Sequence, residues 1–109
     1  MKLPHHDSVQ IDVPKVRDYL LSPVHPVGRF KARVFKALGF DQAAVDAFVA
    51  EIRRTGSEGD VSEVEDIEFG QKYTVPGELR GPIGSARVLT VWVQDRGRQD
   101  VRLVTVRPE

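Results

Sequence analysis

Ala86-Arg87-Val88-Leu89-Thr90-Val91-Trp92-Val93-Gln94 is rich in β-branched and aromatic residues, and that composition predicts a strand. Residues 101–107, Val-Arg-Leu-Val-Thr-Val-Arg, repeat it after the polar segment Asp95 to Asp100, so the two runs read as a hairpin. Pairing Val93 with Val101 sets Trp92 opposite Arg102 and Thr90 opposite Val104. Thr105 then shares the other face with Leu103 and Leu89. Leu89, Val91 and Val93 point one way, and Val88, Thr90 and Trp92 the other. Helices can cover only one side of so small a sheet. The second apolar face is expected to be a groove or a partner surface. Upstream, Gly81-Pro82-Ile83-Gly84-Ser85 is a turn, and residues 69–80 are extended with a break at Pro76-Gly77 that suggests a bulge or an edge.

The half before residue 55 has helical character. Asp12 is a candidate N-cap with Pro14 near the first helical position, and Val16, Tyr19 and Leu20 supply a short apolar face. Ser22-Pro23 ends that helix. Gly39 is suited to the end of a second helix, and Asp41 to capping a third whose stripe is Val45, Phe48, Val49 and Ile52. Thr55-Gly56-Ser57-Glu58-Gly59-Asp60 reads as a breaker-rich connector. The expectation is one α+β domain over 1–109. Its helical half is about 12–54, its acidic connector about 55–68 and its sheet about 69–107, with the helices on one face of a three- to four-stranded antiparallel sheet. A fourth strand requires splitting 69–80 at Pro76 or recruiting Val9 to Ile11.

Composition excludes several classes. There is no cysteine, hence no disulfide framework and no thiolate zinc site. No apolar run approaches the ~18 residues of a membrane span. Residues 1–20 carry charges and prolines where a secretion signal needs an apolar block, so a cytoplasmic protein is expected. Sixteen basic and sixteen acidic residues cancel, but unevenly: residues 51–68 hold seven acids and two bases between two mildly basic parts. His5-His6 resembles a metal pair in a terminus expected to be mobile, and no metal or other cofactor is expected. Phosphate-loop, dinucleotide, nucleophile-elbow and zincin motifs are missing.

The chemistry-bearing residues concentrate in 22–40, Ser-Pro-Val-His-Pro-Val-Gly-Arg-Phe-Lys-Ala-Arg-Val-Phe-Lys-Ala-Leu-Gly-Phe. His25 sits between Pro23 and Pro26, with Gly28 turning the chain into the second helix. At ~100° per residue, Phe30, Val34, Phe35 and Leu38 form an apolar arc with Lys31 inside it, and Arg29, Arg33 and Lys36 lie opposite. His25 reads either as a hydrogen-bonded loop residue or as an acid–base group. Lys31 reads either as a snorkelling stem or as a cation for phosphate. Arg102 is a candidate phosphate clamp, Thr90 and Thr105 candidate site hydroxyls, and Tyr73 and Trp92 candidate base-stacking aromatics. Together they are the residue types of metal-free RNA cleavage: a base for the 2′-hydroxyl, cations for the charged phosphorane and an acid for the leaving oxygen.

The run Tyr19 to Ala32, followed by Phe35 and Leu38-Gly39-Phe40, resembles the opening of a bacterial domain family of unknown function. Gly70-Gln71-Lys72-Tyr73, Gly81-Pro82-x-Gly84, Thr90-Val91-Trp92 and Arg102-Leu103-Val104-Thr105 continue the likeness. Such domains occur at the tips of polymorphic toxins and as free-standing proteins. They resemble the barnase–EndoU–colicin–RelE group of ribonucleases. The resemblance implies N-terminal helices before a four-stranded antiparallel sheet, RNA cleavage without metal, and control by an immunity or antitoxin protein. It implies that His25, Lys31, Arg102 and Thr105 are catalytic, with Tyr73, Trp92 and Thr90 binding substrate. The alternative is a non-catalytic interaction module, built on the apolar strand around Trp92.

Overall fold

The computed structural model describes residues 1–109. Four strands form one antiparallel sheet in chain order: β1 Glu63–Ile67, β2 Gly70–Arg80, β3 Ser85–Asp95 and β4 Arg102–Pro108. Three helices precede them: α1 Val13–Lys15, continued by a π-helical turn over Val16–Leu20, then α2 Arg29–Ala37 and α3 Val45–Glu58. The class is α+β, as the sequence predicts. Asp12 caps α1 by accepting from the Lys15 N–H, and Asp41 caps the turn before α3 by accepting from the Ala44 N–H, each at 3.1 Å. Gly39 follows α2 at φ 100°, a conformation that disfavours residues with a Cβ.

The fourth strand is neither half of 69–80 nor Val9 to Ile11. It is β1, Glu-Val-Glu-Asp-Ile, inside the expected acidic connector. Its charge concealed it, yet charge suits an edge strand because it discourages pairing with other chains. Glu65 also forms an ion pair with Lys72 of β2 at 3.3 Å. β2 continues unbroken through Pro76, which pairs with Leu89. Pro76 lies past Thr74, the end of the β1 pairing, so one side of β2 is free there and a missing N–H is tolerated.

The Thr55–Asp60 connector is also revised. α3 runs on to Glu58, and Gly56 is a contact rather than a breaker: a Cβ there would lie 2.5 Å from Trp92 Cζ2. Gly77 similarly makes room for the Thr55 methyl. α3 therefore packs closely on β2 and β3, and Phe48, Ile52, Val75 and Trp92 are all fully buried. Phe48 contacts Phe35 and Phe40 at ring-centroid distances of 4.9 and 5.1 Å. Each such buried side chain contributes about 1.5–3 kcal/mol. The N-terminus is tied down, with Leu3 and Val9 in the core and Gln10 bonded to Val101 and Leu103 of the sheet.

The register of the last hairpin corrects the expected one. Val93 pairs with Arg102, Trp92 with Leu103, Val91 with Thr105 and Thr90 with Val106, with a bulge at Val104. No apolar groove remains on β3. Val88, Thr90 and Trp92 are sealed in the core, and Val91 and Val93 on the other face are only 5% and 3% exposed. On that face Lys72 and Arg102 flank Val93, while Pro76 and Arg107 flank Leu89, and long basic side chains cover apolar surface well.

Candidate active site

α2 departs from the predicted arc. Its buried residues are Ala32 and Phe35, with Leu38 just beyond, whereas Phe30 is 57% exposed and Val34 exposed. The core lies on the Gly28–Ala32–Phe35 side because α2 starts hard against the preceding turn. A Cβ on Gly28 would fall 1.9 Å from the Tyr19 carbonyl oxygen. Lys31 stands at the border of the buried face, half-buried.

The border position carries Lys31 to β4, the edge strand. Its Nζ donates to Thr105 Oγ1 at 2.8 Å and lies 5.7 Å from the Tyr19 ring centroid. Partial burial, and then the nearby Arg107 guanidinium, push the Lys31 pKa down from its ordinary value. Tyr19 in turn meets His25 edge-on, with centroids 4.7 Å apart. The loop fixes that imidazole. Ser22 Oγ accepts from the Val24 and His25 N–H groups, and His25 Nδ1 accepts from the N–H groups of Val27 (3.1 Å) and Gly28 (3.0 Å). With Nδ1 serving as acceptor, the neutral ring carries its proton on Nε2 and offers an N–H donor. His25, Tyr19, Lys31 and Thr105 thus form one chain of contacts on an open surface, with Arg107 close to Lys31.

The other predicted residues do not join this group. The Arg102 guanidinium is held bidentately by Asp95 at 2.9 and 3.3 Å. Trp92 is wholly buried, donating from Nε1 to Thr90 Oγ1 at 2.8 Å, and the Thr90 hydroxyl donates to the Val75 carbonyl at 2.8 Å. Neither has surface on which a base can stack or bond. Tyr73 is 3% exposed and its hydroxyl donates to Gln71, so it too is a packed strand residue. Tyr19 and Arg107 are the residues that sequence reasoning missed. By sequence Tyr19 belongs to a short apolar helix face, and its place before the His25 loop is the one signal of another role. Arg107 is the last arginine of β4, and only the bulge at Val104 gives it its position. No three side chains of His, Asp or Glu gather into a metal-binding group, and His5-His6 acquires no third member. No helix is long and apolar enough to cross a membrane.

The surroundings of the group are basic. Between Asp18 and Asp41 the chain has no acidic residue, while it has Arg29, Lys31, Arg33 and Lys36. None of these four, nor Arg107, takes part in an ion pair.

The family match covers residues 2–109, nearly the whole chain. The chain belongs to DUF6883, a domain of unknown function. No curated protein matches it. Among solved structures it is similar to a chain of a contact-dependent growth inhibition toxin–immunity protein complex from Klebsiella pneumoniae 342. The identity is 18%, the alignment covers 94% of this chain and all of that one, and the TM-score is 0.69. The likeness is one of fold.

Proposed function

We propose that this DUF6883 chain is a small ribonuclease-like toxin that cleaves RNA by general acid/base chemistry without a metal. It acts in the cytoplasm and is restrained by a separate antitoxin or immunity protein. The observation that carries this reading is the Lys31–Thr105 contact beside His25, on a surface rich in unpaired cations. Two things support it: the depressed Lys31 pKa, and a fold shared with a chain from a toxin–immunity complex.

In the proposed reaction the unprotonated Lys31 amine takes the 2′-hydroxyl proton as the 2′-oxygen attacks phosphorus. The P–O5′ bond then breaks, the departing 5′-oxygen takes a proton from solvent water on the opposite side of phosphorus, and the Lys31 ammonium gives its proton up to solvent. A 2′,3′-cyclic phosphate and a 5′-hydroxyl result. His25 donates from Nε2–H to a non-bridging phosphate oxygen, and Arg107 faces the developing negative charge. Arg107 replaces Arg102 here, because Arg102 already has its carboxylate. Thr105 is a positioning residue that holds the Lys31 amine.

The test is RNA cleavage by the purified chain and its His25→Ala and Lys31→Ala variants, with circular dichroism to confirm folding. Loss of cleavage by about 100-fold or more in both is expected, the usual contribution of acid–base catalysis. Undiminished cleavage by both folded variants would refute these roles.

A further inference from the structure

The face of α2 turned away from Lys31 borders a cleft of about 410 Å³. Arg29, Arg33 and Lys36 are among its lining, and Pro23 and Ala43 supply exposed apolar surface over the buried Leu21, Ala32 and Phe40. Asp41 and Gln42 complete the lining. Those three cations have no carboxylate partner, although eight of the other basic side chains do: Lys2, Arg17, Arg54, Lys72, Arg80, Arg87, Arg98 and Arg102. Two guanidiniums and an ammonium left free around a cleft are a ready receptor for a phosphate group.

Two other lining residues have the opposite chemistry. Asp41 spends Oδ1 on the Ala44 N–H, and Gln42 spends its amide nitrogen on the Arg17 carbonyl. What each has left is an acceptor: Asp41 Oδ2 and Gln42 Oε1. The cleft therefore combines cations, apolar surface and hydrogen-bond acceptors, and its volume falls in the range of small-molecule sites.

We propose that this cleft binds a phosphorylated nucleoside. The phosphate rests on Arg29, Arg33 and Lys36, the ring lies against Pro23 and Ala43, and an exocyclic amine meets Asp41 and Gln42. An adenine, cytosine or guanine nucleotide fits this layout better than a uracil one, which has no such amine. The ligand is either a free nucleotide or one nucleotide of a single-stranded RNA. The site lies across α2 from Lys31 and does not depend on the nuclease reading.

Amide NMR titrations of the full chain test it. The probes are adenosine 5′-monophosphate, uridine 5′-monophosphate, inorganic phosphate and a short 2′-O-methyl oligonucleotide that cannot be cleaved. Saturable shifts at Ala32, Gln42 and Ala43 are expected with the adenosine probe, and weaker binding of the uridine probe and of phosphate. Arg33 and Ala43 are exposed, so Arg33→Glu and Ala43→Phe leave the core alone. Each should weaken binding about tenfold or more, the first by reversing a charge and the second by filling the cleft. Lys31→Ala should not change it. Tighter binding of the oligonucleotide than of the monophosphate identifies RNA as the source, and the reverse identifies free nucleotide. Three results would each overturn the proposal: no saturable shifts with either, phosphate binding as tightly as the nucleotide, or both cleft variants binding normally. A chain that binds nucleotide here but cuts no RNA would defeat the nuclease reading and leave this one standing.

Discussion

Thr90→Val keeps the size and branching of the side chain and removes only a hydroxyl. That hydroxyl is wholly buried and joins two partners, accepting from Trp92 Nε1 and donating to the Val75 carbonyl, each at 2.8 Å. Valine leaves the indole N–H without an acceptor in a dry core, which costs about 1–3 kcal/mol, and deletes a bond to Val75 worth about 1 kcal/mol net. The expected loss is about 2–4 kcal/mol, a large part of the about 5–15 kcal/mol typical of a domain. With a urea slope of about 2 kcal/mol/M, the midpoint should fall by about 1–2 M. Thr90→Ser keeps the hydroxyl and should lose only about 1 kcal/mol, for the missing methyl. Urea melts followed by far-ultraviolet circular dichroism give these values directly. Adding Trp92→Phe to Thr90→Val removes the stranded donor, so Trp92→Phe should cost about 1–3 kcal/mol less in that background than in the native one. An equal cost in both backgrounds, or a Thr90→Val chain as stable as the native one, would refute the reasoning and reopen a surface role for these residues.

Further expectations concern packing and charge. Gly56→Ala should destabilise by about 1–2 kcal/mol in the same melts, since its Cβ meets Trp92 at 2.5 Å and an overpacking cost of about 2–3 kcal/mol exceeds the helix-propensity gain of about 1 kcal/mol. The Arg54 guanidinium, with help from the Arg80 N–H, holds the Glu51 carboxyl below its ordinary pKa. The stability this contributes is present above the unfolded value of about 4.3 and is lost as pH falls through the lower folded one. Glu51→Gln should therefore lower stability at pH 7 and flatten the acid limb of urea midpoint against pH; parallel profiles would show that the pair contributes nothing. For Lys31 the slope has the same sign, but the shift is a cost at neutral pH that disappears in alkali. Its folded pKa is lowered, so between that value and about 10.4 the unfolded chain binds more protons and stability rises with pH. Lys31→Met should abolish that rise and cost no stability at pH 7; an unchanged alkaline slope would count against a desolvated amine.

How far the sequence could be read depended on whether one rule governed a segment at a time. The caps at Asp12 and Asp41 and the turn at Gly39 were legible because capping is local chemistry. β2 and β3 were legible from composition. Segments where two rules conflict were not. Gly56 looks like a helix breaker by propensity, and only the position of the Trp92 ring shows it to be a close contact. Glu63–Ile67 looks like a solvated connector by charge, and its strand character depends on β2 beside it. Phe30 looks like core by hydrophobicity, yet it is exposed because Gly28 sets the rotation of α2 against Tyr19. Of the candidate site residues, His25, Lys31 and Thr105 are linked through Tyr19 at the surface, whereas Trp92 and Thr90 are turned inward, a difference of orientation that residue type does not carry.

The spacing of two arginines explains why the last strand assembled differently from its simple reading. Arg102 and Arg107 are an odd number of residues apart, so an unbroken strand would bury one of them. Leu103 and Val106, both core residues, pose the same problem in reverse. The bulge at Val104 resolves both. Without it, the pairing that begins at Val93 and Arg102 would carry Thr105 opposite Thr90 in the core and turn Val106 outward. With it, Val106 fills the core opposite Thr90, Thr105 moves opposite Val91, and Lys31 finds its hydroxyl. Arg107 stays on the outer side near that amine, while Arg102 goes to Asp95. One inserted residue thus selects which arginine of β4 joins Lys31 and turns Thr105 to the same side. Deleting Val104 tests this: a regular strand without it still sets Thr105 opposite Val91 and Val106 opposite Thr90, so a shortened chain that folds should keep the Lys31–Thr105 contact. RNA cleavage should then persist, and a folded Val104-deleted chain that no longer cleaves would refute the claim that the bulge acts only by setting the register of β4.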